Sequence, residues 1–136
     1  MNTSKGKQVI QTEKAPKAIG PYSQAIQTEL LIFTAGQIGL NPATAELVEG
    51  GVEEQTRQAL TNLRNVLEAA GSSLNHVVKT TVFLKDMNDF PKMNAIYAEF
   101  FSEAFPARST IAVAALPKGG LVEIEAVALL APSHGD

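Results

Sequence analysis

Residues 52–84 read VEEQTRQALTNLRNVLEAAGSSLNHVVKTTVFL, and this stretch decides the fold. Val52, Thr56, Ala59, Leu60, Leu63, Val66, Leu67 and Ala70 recur at steps of three and four, which is the period of one helix face. Glu53, Glu54, Arg57, Gln58, Arg64 and Glu68 fill the opposite face. Acidic residues in the first turn suit the helix dipole, and Gly71 is a natural C-terminal stop. Such a stripe is a core-facing surface rather than a cofactor box. The period then changes. Val77–Leu84 alternates with Val78, Thr80, Val82 and Leu84 on one side, which predicts a strand directly after the helix.

Downstream, the pattern predicts a second helix over Asp89–Glu103. Pro91 fits a first turn after Asn88 or Asp89 as cap, and Met93, Ile96, Tyr97, Phe100 and Phe101 make the buried stripe. Phe105-Pro106 enforces a loop, because the residue before proline avoids helix. Ser109–Ala114 and Val122–Leu130 read as strands separated by the turn Pro117-Lys118-Gly119-Gly120. Upstream, Lys7–Thr12 reads as a short edge strand before a turn around Ala15–Pro21. Ser23–Thr28 and Leu30–Ala35 read as two strands joined near Glu29, with Gly36 closing the run. Gln37–Gly51, holding Asn41-Pro42 and Gly50-Gly51, reads as loop. Strands, helix, strand, helix, strands is the order of an α+β layer, with two helices on one face of a mixed sheet. Glu123 and Glu125 share the other face of the last strand with Val127 and Leu129. Carboxylates mixed with apolar residues suit a partly wet subunit interface.

At 136 residues with 45% apolar content the chain makes one domain, 1–136, with residues 1–10 and 131–136 expected as flexible ends. Eight Lys and three Arg face fourteen acids, for a net charge of −3. That balance argues against a nucleic-acid binder, which needs clustered cations. The absence of cysteine excludes disulfides, thiolate metal sites and Cys nucleophiles. His76 and His134 are the two histidines, too few for a His-rich zinc site in one chain. His76 could serve a triad only as its base, and no nucleophile elbow, Walker-type loop or dinucleotide glycine pattern accompanies it. Residues 1–20 lack the apolar core of a signal peptide, and no apolar run is long enough to cross a bilayer. The expected location is cytoplasmic, with the mitochondrion as alternative and no membrane partner.

Among candidate site residues, Arg108 stands alone in a loop entering a strand, where its guanidinium could fork a small carboxylate or pair with a surface acid. Glu123 could be a general base or water-positioning carboxylate if burial raises its pKa; otherwise it is an ordinary strand residue. Gly36 either lets backbone groups approach a ligand closely or simply ends a strand. Tyr22 is a pocket wall or a turn anchor. Asn94 on the second helix could cap, pair or bind, and His76 reads as structural.

Together these segments match a known pattern. The segments are Ala18-Ile19-Gly20-Pro21-Tyr22-Ser23-Gln24-Ala25, Gly36-Gln37-Ile38-Gly39-Leu40-Asn41-Pro42, the run from Val78 to Phe90, Phe105-Pro106-Ala107-Arg108-Ser109-Thr110, Ala115-Leu116-Pro117-Lys118-Gly119 and Val122-Glu123-Ile124-Glu125-Ala126. From about Gln11 to Leu130 the sequence resembles the RidA (YjgF) family of reactive-intermediate enamine/imine deaminases. The resemblance implies a chorismate-mutase-like two-layer fold and a homotrimer with its sheets facing the trimer centre and pockets between subunits. It also implies hydrolysis of 2-imino acids such as 2-iminopropanoate and 2-iminobutanoate, by-products of pyridoxal-phosphate enzymes, to 2-keto acids and ammonia. It calls for no cofactor and no metal.

By the same resemblance Arg108 clamps the substrate carboxylate and Glu123 holds the attacking water. Tyr22, Phe90 and Asn94 line the pocket, Gly36 lends its backbone, and Thr110 contacts substrate. Two positions depart from the family pattern: Thr110 replaces a frequent cysteine, and Ala35 a frequent serine. Two other functions stand beside the deaminase. One is a non-catalytic module that binds small keto acids; the other is a translation-inhibiting or RNA-cleaving protein, which the charge disfavours.

Overall fold

A computed structural model describes residues 3–4 and 6–130. Its strands are β1 (Thr3–Ser4), β2 (Lys7–Ile10), β3 (Ala25–Gln27), β4 (Leu31–Thr34), β5 (Gln37–Ile38), β6 (Leu40–Asn41) and β7 (Glu46–Leu47) in the first half of the chain. Helix α1 (Val52–Ala69), β8 (Val77–Leu84), α2 (Phe90–Phe100), β9 (Ala107–Ala112) and β10 (Val122–Leu129) follow. The main sheet runs β1-β2-β3-β4-β10-β8-β9, with β5 joining β10 beyond the end of β4. Every pairing is antiparallel except β8 with β9, so the sheet is mixed. Both helices cover one face, as the element order predicts.

The helix α1 lays fully buried Leu60, Leu63, Val66 and Leu67 against Ile32, Val82, Leu84, Val122 and Ile124 of the sheet. Met93 and Tyr97 of α2 join this core. Burying a side chain of this size contributes about 1.5–3 kcal/mol, so the stripe outweighs the modest propensity of Thr56, Asn62 and Val66 for helix. The start of α1 has no side-chain N-cap; instead Glu54 accepts a hydrogen bond from the Gly51 amide at 2.9 Å. Gly71 ends the helix at φ +81°, a conformation open to glycine. Two polar residues on the buried side tie loops to the helix. Asn62 donates to the carbonyls of Ile38 and Leu40, and Gln55 accepts from the Leu121 amide.

The structure changes several expectations. The predicted loop Gln37–Gly51 contains β5 and the β6–β7 hairpin. Two-residue strands carry no period of their own, and β5 exists because β10 pairs with it at Ile124–Gln37 and Glu123–Ile38. Val78 lies on the exposed face instead of with Thr80 and Val82. The register moves from Val127↔Lys79 to Ala128↔Val77, so Val78 is the extra residue of a bulge and Val77 is buried in its place. The second helix stops at Phe100, because Phe101 turns extended to bury its ring against Tyr97 at 4.6 Å. Asp89 takes the N-cap position without a side-chain bond. Asp86 does the capping one turn earlier, accepting from Asn88. The strand β9 begins at Ala107 rather than Ser109. Lys7–Ile10 is a strand between β1 and β3 rather than an edge. The flexible-end expectation for residues 1, 2, 5 and 131–136 lies outside the described residues.

Candidate active site

Along β10, Val122, Ile124, Ala126 and Ala128 face the helices, and Glu123, Glu125 and Val127 face away from them. Glu123 is half-buried at a break in the neighbouring strand. Between Ile124↔Gln37 and Val127↔Phe33, three steps on β10 oppose four on the β4–β5 side, so the chain bulges at Thr34–Gly36. The Thr34 hydroxyl accepts the Ala126 amide at 3.0 Å inside that gap. The Glu123 carboxylate lies directly over Gly36. A Cβ on residue 36 would fall 2.7 Å from its Cδ and 2.8 Å from its Cγ, with Oε2 closer still. Gly36 is therefore where the Glu123 side chain packs onto the backbone. Burial pushes the Glu123 pKa up, and the like charge of Glu125 adds to the rise.

Above Glu123 opens a cleft of about 500 Å³, walled by Ile19, Tyr22, Ile38 and Pro117, with Lys17 and Lys118 at its rim. Tyr22 is more than half exposed, and its hydroxyl accepts the Ile19 amide at 3.3 Å, so it is both turn anchor and cleft wall. Gln24, buried beneath the rim, is a residue the sequence reading passed over. Its amide donates to the carbonyls of Thr12, Ala15 and Pro16 and accepts from the Thr12 amide, pinning the loop that forms one lip. A polar residue entering a strand on its buried side is the signal that could have found it.

Arg108 sits elsewhere. It pairs with Thr80, which pairs with Ala126, and all three point toward the helices. The guanidinium donates to Asn94 Oδ1 at 2.7 Å. Its carbon lies 5.3 Å from the Phe90 ring centre and 4.6 Å from that of Tyr97. Phe90, Asn94 and Tyr97 are four and three residues apart, one stripe of α2 aimed at the edge strand β9. Among the described residues the one ion pair is Arg57–Glu99 on the helices, so Arg108 has no acidic partner there. No described residue supplies the surface acid of the alternative reading. Thr110, two residues on, has a buried hydroxyl without a hydrogen-bond partner. His76 bonds Ser73 Oγ through Nδ1 at 2.7 Å and lies apart from both groups.

The predicted residues thus form two groups. Tyr22, Gly36 and Glu123 meet at the cleft; Phe90, Asn94 and Arg108 meet under α2, with Thr110 on the same strand. The two groups occupy opposite faces of one sheet. No group of three or more His, Cys, Asp and Glu side chains that could hold a metal ion occurs among the described residues, and no helix there is long and apolar enough to cross a membrane.

In this small α+β protein one guanidinium lies beside two aromatic rings with no acidic partner among the described residues, and one half-buried carboxylate lies at a cleft on the other face of the sheet. Comparison with known proteins gives the family. Residues 12–130 match the family described as endoribonuclease L-PSP. A RutC family protein of Pyrococcus horikoshii is 59% identical over 122 residues, covering 90% of this chain and 97% of that one. A Mus musculus protein named 2-iminobutanoate/2-iminopropanoate deaminase is 55% identical over 126 residues, 93% of each chain. The crystal structure of E. coli TdcF with bound serine superposes with a TM-score of 0.87 at 42% identity, over 91% of this chain and 99% of that one. The chain belongs to the endoribonuclease L-PSP family, the RidA (YjgF) family whose motifs its sequence carries.

Proposed function

We propose that this chain hydrolyses reactive 2-imino acids and their enamine tautomers, of the 2-iminopropanoate and 2-iminobutanoate kind, to 2-keto acids and ammonia. The observation that carries the reading is Arg108: a half-buried guanidinium, stacked on two rings and fixed by one amide oxygen, with no acidic partner among the described residues. Such a group binds an external carboxylate through two parallel bonds. The name of the mouse relative supports the reaction, and the serine bound to TdcF supports a small carboxylate-bearing ligand.

In this reading Arg108 takes the substrate carboxylate and fixes the adjacent C=N carbon. Glu123, ionised, accepts a hydrogen bond from a water and takes its proton as oxygen adds to that carbon. The carbinolamine collapses when the nitrogen receives a proton and leaves as ammonia. An imine carbon is already electrophilic, so positioning and proton transfer supply the acceleration. Tyr22 walls the cleft, and the Gly36 backbone lies beside the reacting atoms. Phe90 and Asn94 hold the guanidinium, and Thr110 offers its unpaired hydroxyl.

The two groups of one chain cannot reach the same substrate. Arg108 and Glu123 lie two strands apart, about 10 Å at ordinary strand spacing, and on opposite sides of the sheet. A second copy must bring its Arg108 to the first copy's Glu123. Val9, Phe33, Ile111 and Leu129 are exposed. Phe33 and Ile111, paired through Val127 and Phe83, share the face of Glu123, so covering that face would bury apolar surface. A closed homotrimer with this face inward satisfies both demands.

The test is the decay of 2-iminopropanoate, generated in situ by an amino-acid oxidase, in the presence of wild type and Arg108→Ala. Acceleration by wild type alone supports the reading. Pyruvate binding without acceleration would favour the keto-acid-binding module, and RNA cleavage surviving Arg108→Ala would favour the nuclease.

A further inference from the structure

We infer that Tyr97 and Thr80 are positioning residues for Arg108, forming a tether that sets where the guanidinium lies; this rests on the reading of Arg108 as carboxylate anchor. Thr80 is the register partner of Arg108 across the parallel β8–β9 pair, so the two side chains stand next to each other on the helix-facing side. Tyr97 comes down from α2 onto both. Its hydroxyl meets Thr80 Oγ1 at 2.7 Å in a fully buried bond, and its ring lies 4.6 Å from the guanidinium carbon. The bond to the neighbour therefore fixes the ring in register with the arginine. Phe101 packs against the same ring at 4.6 Å between centroids, which further limits its freedom to slide.

Two observations favour a positioning role over simple satisfaction of a buried hydroxyl. The ring is closer to the guanidinium than Phe90 is, and so is the stronger of its two cation–π partners. Asn94 fixes one nitrogen of a group with five donors, so its angle about that bond must be set by the surfaces it stacks on. A rotation of the guanidinium plane spoils a two-bond carboxylate fork while leaving the charge in place. Burial also holds the Tyr97 phenol neutral well past neutral pH, so the tether persists across the working range.

The experiment is a cycle of Tyr97→Phe, Thr80→Val and the double variant. Each single change strands one buried hydroxyl and lowers Tm; the double change removes both hydroxyls and recovers much of it. The tether predicts a KM for 2-iminopropanoate about tenfold higher in all three, with kcat within about twofold of wild type. It also predicts that the Nε–H resonance of Arg108, displaced in wild type by the ring currents of Phe90 and Tyr97, moves the same way in all three. With only three arginines its assignment follows from its loss in Arg108→Lys. A double variant that regains wild-type KM and resonance along with Tm would overturn the inference, since the bond would then serve stability alone. If wild type shows no turnover, the deaminase reading fails and the resonance still decides the tether.

Discussion

Replacing Gly36 with alanine separates the site from the fold. Gly36 has none of the left-handed φ values found at Gly6, Gly20, Gly50, Gly71 and Gly119, so its backbone accepts an L-residue without strain. The three atoms nearest the added methyl all belong to the Glu123 side chain, with Cδ at 2.7 Å and Cγ at 2.8 Å, against 3.4 Å for ordinary contact. The carboxylate must retreat by about 0.7 Å at its carbon, and its oxygen by more. A displacement near 1 Å at a reacting group costs about 100-fold in rate, or about 2.7 kcal/mol of transition-state stabilisation. The side chain is flexible at that end, and a glycine-to-alanine change restrains the unfolded chain. Stability should therefore hold or rise by about 0.4–1 kcal/mol. The assay is kcat on 2-iminopropanoate beside thermal unfolding. A variant that folds as wild type and keeps more than a third of its kcat would refute the argument that Gly36 exists to seat the carboxylate.

Arg108→Lys should raise KM by about 10- to 100-fold, because one ammonium cannot replace the fork; steady-state kinetics give the answer. Equal mixing of Arg108→Ala and Glu123→Gln chains, refolded together, should restore about a quarter of wild-type activity, since a site shared between copies, as proposed, pairs an intact arginine with an intact glutamate in one random combination of four. No recovery would place both residues in a site made by one chain. The acid limb of kcat/KM should lie above the ordinary glutamate value of 4.5, and Glu125→Gln should move it down by removing the like charge. For stability the sign is opposite to that of a salt-bridged acid: the folded state holds the Glu123 proton longer than the unfolded one. Stability from this group is thus full below 4.5 and lost as pH rises through the folded pKa. Glu123→Gln should melt higher than wild type at neutral pH and no higher in acid. Gly39→Ala places a Cβ 2.7 Å from the Gln55 Cα, a helix backbone that cannot step aside, and should cost about 1–3 kcal/mol, read as a lower Tm.

What the sequence made legible follows from length and locality. Both α1 and β10 declare themselves because eighteen and eight residues repeat one period without interruption. Neither β5 nor the β6–β7 hairpin could, since each strand has two residues and owes its existence to a distant partner. Val78 was misplaced because a bulge breaks alternation without marking the residues that make it. The resemblance supplied Arg108 and Glu123, and local chemistry made both plausible. That they face opposite ways depends on the register of β9 on β8 and of β8 on β10, a relation among three segments far apart in the chain. Tyr97 was visible as core, but its spacing from Phe90 and Asn94 carried a second meaning that only the position of β9 reveals.

The place of β10 also bears on how the protein is made. It is the last described element, yet it stands in the middle, pairing with β4 and β5 on one side and β8 on the other. A nascent chain that has emitted everything up to Leu121 holds two half-sheets with no strand to join them, and α1 has only part of its floor. Long-range pairing of this kind is slow, and the unpaired edges of β4 and β8 are exposed while it waits. Folding in effect waits for β10, so Glu123 arrives together with the strand that completes the sheet. Chains cut short before Val122 should be found by the degradation machinery as unfolded protein, never as a folded domain lacking only its carboxylate.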